Sequence, residues 1–143
     1  FDDAIKCQFD IALPVLEELK IKSFFFVYTS IFENKPDYLE IFRYFRMNYF
    51  DDVDKFYKNF YQFLDRDLNP FFNLNNNKIK KLKIKFPNYS IEDIKFRLVR
   101  DIFLTKNEYE KIMFQMLKEK NVDYKNLFKQ LFFQKDDLKI LDK

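Results

Sequence analysis

The 143-residue sequence contains no glycine, no histidine and no tryptophan. Without glycine, a Gly-rich phosphate-cradling loop is hard to build, and the tight hairpins of an all-β sandwich lose their usual residue. The absence favours helices. Without histidine, a Ser-His-Asp triad is excluded within the chain, and the single cysteine, Cys7, has no imidazole to activate it. One cysteine also excludes an internal disulfide framework and a cysteine-based zinc site. No apolar run approaches the roughly 18 residues of a membrane-crossing helix, so no transmembrane segment is expected. Nor is there a strong excess of one charge. The 26 basic and 23 acidic residues leave +3, too balanced to imply a nucleic-acid partner.

What is present is apolar and aromatic. Hydrophobic residues make up 48% of the chain and Phe alone numbers 21, a globular composition in which most rings must be buried. The length suits one domain with a sizeable core. The chain opens with Phe1-Asp2-Asp3-Ala4. A strand ending at Asp2 would lack most of its usual ~5–6 residues, so the sequence reads as a piece of a longer protein.

Ala12, Val15, Leu16 and Leu19 recur at helical spacing with Pro14 in the first turn, which predicts a helix near 13–20. Ser23 to Tyr28 is aromatic and β-branched without polar alternation. That pattern predicts a strand buried on both faces, as in a parallel sheet. From Asp37 the reading turns helical. Tyr38, Ile41, Phe42, Phe45 and Tyr49 mark one face behind Pro36. Val53, Phe56, Tyr57, Phe60, Tyr61 and Leu64 mark another, with Asp51 as N-cap. Asn69-Pro70 ends that helix, and Asn73 to Asn77 reads as a polar loop. Lys78 to Lys85 fits a helix only in part. Ser90 with Asp93 is a capping pattern, Thr105 with Glu108 a cleaner capping box, and Tyr124, Leu127, Phe128 and Leu131 mark a further helix. Asp136 is placed to cap a last one.

Two features bear on chemistry. At the end of a strand, Asp2 and Asp3 can turn into one site, one carboxylate holding a divalent metal and the other taking a proton from its bound water. A bare pair of adjacent acids is more often a solvated turn, and Asp51-Asp52 and Asp136-Asp137 read simply as helix starts. Lys78 to Lys85 is a basic strip suited to phosphate or an acidic polysaccharide, or a plain solvated face.

The opening also carries a longer pattern. Phe1-Asp2-Asp3-Ala4, followed by Ala12-Leu13-Pro14-Val15-Leu16-Glu17-Glu18-Leu19-Lys20-Ile21-Lys22-Ser23-Phe24-Phe25-Phe26-Val27, resembles the first motif region of polysaccharide deacetylases (NodB homology, carbohydrate esterase family 4). The family pattern there is Thr-Phe-Asp-Asp-Gly, a helix with a Leu-Pro-Ile-Leu type segment, then Ile-Lys-Ala-Thr-Phe-Phe-Val. Lys135 to Lys143 is similar to the helix that precedes the family's paired-histidine segment. The resemblance covers about thirty residues at the start and a short tail, and it departs from the family at Ala4, where the family has glycine.

That resemblance implies an α/β fold, a fragment of a distorted (β/α) barrel dominated by a long helical insertion. Residues 1–36 would start the core, 37–134 would be the insertion, and 135–143 would lead back into the core. It implies that Asp2 is the catalytic base and Asp3 the metal-ligating acid of a sugar N-deacetylase hydrolysing a carbon–nitrogen amide bond. A divalent ion, zinc or similar, would be held with two histidines from outside the chain, and the substrate would be an N-acetylated polysaccharide or sugar. The isolated chain would then be incomplete, inactive and without a bound metal. The alternatives are a deacetylase-like protein that has lost its site and an unrelated helical interaction module.

Overall fold

The computed structural model describes residues 1–33, 35 and 38–141. Asn34, Pro36, Asp37, Asp142 and Lys143 lie outside the described residues, so the expected start of the helical stretch at Pro36-Asp37 and the last two tail residues go unplaced. Nine α-helices account for the described architecture: α1 (Leu13–Glu18), α2 (Tyr38–Asn48), α3 (Val53–Gln62), α4 (Asn69–Leu74), α5 (Asn76–Lys85), α6 (Ile91–Leu98), α7 (Lys106–Glu119), α8 (Tyr124–Leu131) and α9 (Lys135–Leu141). A π turn over Gln8–Ala12 leads into α1, a 3-10 turn spans Thr29–Glu33, and a second π turn over Val99–Phe103 extends α6.

The α/β expectation is overturned. Among the described residues there is no strand, only an isolated antiparallel bridge between Ile5 and Phe132. The run Ser23 to Tyr28 carries no regular secondary structure and belongs to no ladder. Phe24 and Phe26 are 81% and 65% exposed, while Phe25 turns inward to stack on Phe1 and lie beside Phe133. An apolar, β-branched run forms a buried strand only if neighbouring strands satisfy its backbone and cover both faces. Here Phe24 and Phe26 bond across, both to Phe1, and no strand among the described residues covers either face.

The helices have visible local causes. Asp52, rather than Asp51, caps α3 by accepting from the Asp54 amide. Ser90 caps α6 through the Asp93 amide, and Asp123 caps α8 through that of Lys125. Thr105 and Glu108 form a reciprocal capping box at the start of α7, satisfying two amide donors at once. At α9 the stabilising acid is Asp137, whose carboxylate accepts from the Gln134 amide at 2.7 Å. Asn69-Pro70 does not end structure but opens α4, with proline in the first turn where its missing N–H costs nothing. The expected loop over Asn73 to Asn77 is largely helical, covering the end of α4 and the start of α5.

The chain divides into two compact units, Phe1–Arg43 with Asp123–Lys143, and Tyr44–Val122. The first unit is closed by its two sequence-distant segments. Ile5 bridges Phe132, and the Phe133 amide donates to the Ala4 carbonyl at 2.9 Å. Lys6 donates to Asp137 at 2.7 Å. Tyr28 packs edge-on against Phe132, and Tyr38 against Tyr124. The stretch from Ile11 to Phe26 leaves Ile11, Val15, Leu19, Ile21, Phe24 and Phe26 exposed.

The second unit has an aromatic centre. Phe45, Phe56, Phe60 and Phe96 are fully buried. Phe96 meets Phe60 edge-to-face at a centroid distance of 5.0 Å and Phe56 at 5.3 Å, the tilted arrangement ring quadrupoles prefer. Val99, Met113, Met116 and Leu117 are buried too. A satellite cluster joins Ile79, Ile94 and Leu98 with Phe71, Phe72 and Leu82, which fixes the inner face of α5. Beside the rings sits a buried polar hub. Asp93 accepts from Tyr57 at 2.8 Å, from Arg97 at 2.7 Å and from Arg46 at 3.2 Å.

Candidate functional site

Asp2 and Asp3 lie on a turn pinned on both sides. Before it, the Phe1 nitrogen donates to the Phe24 carbonyl and the Phe1 carbonyl accepts from the Phe26 amide, each at 2.8 Å. This exchange has the form of one residue pair of a parallel ladder, reinforced by the Phe1 and Phe25 rings stacked 4.8 Å apart. After it, Ala4 and Ile5 are held to Phe133 and Phe132 by the Phe133 amide bond and the bridge. Between these anchors the backbone doubles back. Asp3 has φ 68° and Ala4 φ 51°, left-handed values that cost a residue with a Cβ about 1–2 kcal/mol each. The Ala4 methyl is 1% exposed, so the turn is packed from beneath while both acids stay at the surface.

The turn faces residues 26–28. Asp2 and Asp3 share an open concavity of about 480 Å³ with Phe26, Val27 and Tyr28. Neither carboxylate has a hydrogen-bond or ion-pair partner among the described residues. The acids predicted from the sequence are thus brought together in one depression. Its aromatic wall comes from the Ser23 to Tyr28 run, whose apolar character was legible but whose partner was not.

The donor set limits what this depression can hold. A catalytic zinc takes three protein ligands. Among the described residues, no group of three or more His, Cys, Asp or Glu side chains is placed to hold a metal. Cys7 is exposed and free. The described residues do not complete a metal site, and two carboxylates supply at most part of one.

Other polar groups are committed elsewhere. A second depression of about 330 Å³ is lined by Arg66, Glu108 and Lys111 among others. There Glu108 is held below the usual carboxylate range by the Thr105 amide and hydroxyl, with Arg66 adding to the effect, so its carboxylate serves the α7 cap. At the Asp93 hub, burial pushes the carboxyl up. The hydrogen bonds from Arg97 and Tyr57 and the charges of Arg97 and Arg46 outweigh it and hold Asp93 low. Tyr57 is pushed well above its ordinary value by burial and by its bond to Asp93. The sequence marks Asp93 only as a capping residue. The i, i+4 spacing to Arg97 was the one signal of an ion pair there.

No protein-family model, no curated protein and no solved structure matches the chain. Among the described residues, no helix is long and apolar enough to cross a membrane.

Proposed function

We propose that this chain contributes the acid pair of a metal-dependent sugar N-deacetylase, with the histidine ligands supplied from outside it. Asp2 would be the general base, and Asp3 would give one oxygen ligand to a divalent ion that would polarise the acetyl carbonyl. The reaction is hydrolysis of an acetamide: water adds to the acetyl carbonyl, the C–N bond breaks, and acetate and a free amine result. Asp2 takes the proton of the attacking water.

One observation carries the reading. The Asp2-Asp3-Ala4 turn is anchored at both ends and strained at two residues, and it presents unpaired carboxylates to a depression walled by Phe26 to Tyr28. Strain held by the surrounding structure is typical of functional turns. The thirty-residue pattern that resembles polysaccharide deacetylases begins at this same turn and includes the aromatic wall. The positive φ of Ala4 also bears on the departure from that pattern at this position, since it is the conformation glycine takes most readily. A helical interaction module is the second reading, favoured by the helical architecture of the described residues.

The test is acetate release from an N-acetylated chito-oligosaccharide by the natural gene product that carries this chain. Asp3→Ala should abolish metal-dependent release. Asp2→Asn should lower the rate by about 10²–10⁴-fold while bound metal is retained. Release that survives Asp3→Ala, or a gene product that neither binds metal nor releases acetate, removes the deacetylase reading in favour of the second.

A further inference from the structure

Between Asp67 and Glu92 the sequence has no acidic residue, yet it holds Lys78, Lys80, Lys81, Lys83 and Lys85. The whole chain carries only +3, so this stretch concentrates the positive charge and the remainder is net acidic. The five lysines fall on α5. Its inner face is fixed by Ile79, packed with Leu82 into the Ile94–Leu98 cluster. Lys83 reaches back to the carbonyls of Pro87 and Tyr89, both at 2.7 Å, and so secures the end of the helix. Lys78, Lys80, Lys81 and Lys85 are exposed, and none has an acidic partner among the described residues.

An apolar side chain sits in the middle of this basic face. Ile84 follows Lys80 by four residues and Lys81 by three, so the three are surface neighbours, and Lys85 adjoins them. Ile84 is 82% exposed, and Leu74, at the end of α4, is 86% exposed. These are the two most exposed large apolar side chains among the described residues.

We propose that the solvent face of α5, formed by Lys78, Lys80, Lys81 and Lys85 around Ile84, together with the exposed Leu74 that ends α4, docks on an anionic lipid surface. Lysines there attract the acidic headgroups, and the apolar side chains enter the headgroup–acyl boundary. The charge pattern alone would suit any polyanion, and two observations choose among them. Phe86 and Tyr89 are the rings next to this face, but they stack on each other at 5.4 Å. Lys85 lies over Phe86 and Arg97 over Tyr89, so no ring face is free to stack a nucleobase. A soluble acidic polysaccharide would give Ile84 and Leu74 nothing to be buried in, whereas a bilayer does.

The experiment is sedimentation of the full chain with phosphatidylcholine vesicles and with mixed phosphatidylcholine–phosphatidylserine vesicles, at low and high salt. Binding should require phosphatidylserine and weaken with salt. Lys80→Gln with Lys81→Gln should lower partitioning about thirtyfold, from the contribution of each lysine near such a surface. Ile84→Ser should lower it about tenfold and leave any binding to a single-stranded RNA or a sulfated polysaccharide unchanged. All three side chains point to solvent, and the variants should keep the parent's helical circular dichroism. Equal binding to neutral vesicles, indifference to the lysine pair, or binding confined to RNA or polysaccharide would overturn the proposal.

Discussion

Four described residues hold a left-handed backbone: Asp3, Ala4, Lys20 and Asn121. A chain without glycine must place other side chains there. Two of the four end helices. After α1 the Ile21 amide reaches the Leu16 carbonyl, and after α7 the Val122 amide reaches that of Leu117, both at 2.9 Å. These are Schellman closures in which Lys20 and Asn121 stand where glycine is usual. Asparagine tolerates that conformation and lysine does so less well. Ala4 has no such excuse, because its side chain offers no local hydrogen bond. Ala4→Gly should therefore stabilise the protein by about 1 kcal/mol, the relief of left-handed strain less glycine's extra freedom in the unfolded chain. A urea melt checks it: the midpoint should rise with the slope unchanged. A fall would mean that the buried Ala4 methyl matters more than the strain beneath the two acids.

The elements were legible in proportion to how local their causes are. The Thr105–Glu108 box and the Ser90 cap need only residues within one turn, and both formed where the sequence placed them. The stretch from Lys78 to Lys85 was ambiguous because one face is almost all lysine. Its helix is settled by Ile79 and Leu82 meeting Ile94 and Leu98, contacts no local pattern reveals. Ser23 to Tyr28 failed as a strand for the complementary reason, since a strand depends on neighbours that a local run cannot specify. The acid pair and its spacing to the aromatic run could be read directly, but the turn that joins them could not. At α6 the decisive residue is Asp93, held low by Arg97, Tyr57 and Arg46 against the opposing effect of burial. A carboxyl whose folded pKa is depressed adds stability above its unfolded value, near 3.9. That stability is lost as pH falls through the lower folded value. Asp93→Asn should thus be less stable than the parent at neutral pH and should flatten the loss of stability below about pH 4, as read by denaturant midpoints across the acid range. An unchanged acid limb would remove Asp93 from the groups that set it.

At the scale of the molecule, the first unit is made from two segments separated in sequence by Tyr44–Val122, so its integrity rests on a few cross-links rather than on continuous helix. Among them Asp137 has two tasks. Its carboxylate accepts from the Gln134 amide to start α9, and it pairs with Lys6, which also meets Asp10 at 3.3 Å. Burial pushes the Lys6 ammonium down, but hydrogen bonds to Asp137 and Asp10 outweigh it and leave the lysine above its ordinary value. The pair is only partly exposed, so removing one partner costs more than breaking a surface bridge. Asp10 remains to serve Lys6 in Asp137→Ala, which keeps the loss to about 2 kcal/mol rather than the full penalty of an isolated buried charge. The loss should be local. In native-state hydrogen exchange, the Phe133 amide, bonded to Ala4, should lose protection about thirtyfold. The Ile21 amide, closed within the α1 terminus, should keep its protection. If both amides lose protection together, the first unit opens as one body and the Lys6–Asp137 link is only one of many equivalent contacts. If neither changes, the two segments are held by the Ile5–Phe132 backbone bridge and the packing of Phe25 on Phe133, and the anchoring of the acid turn does not depend on the Lys6–Asp137 pair.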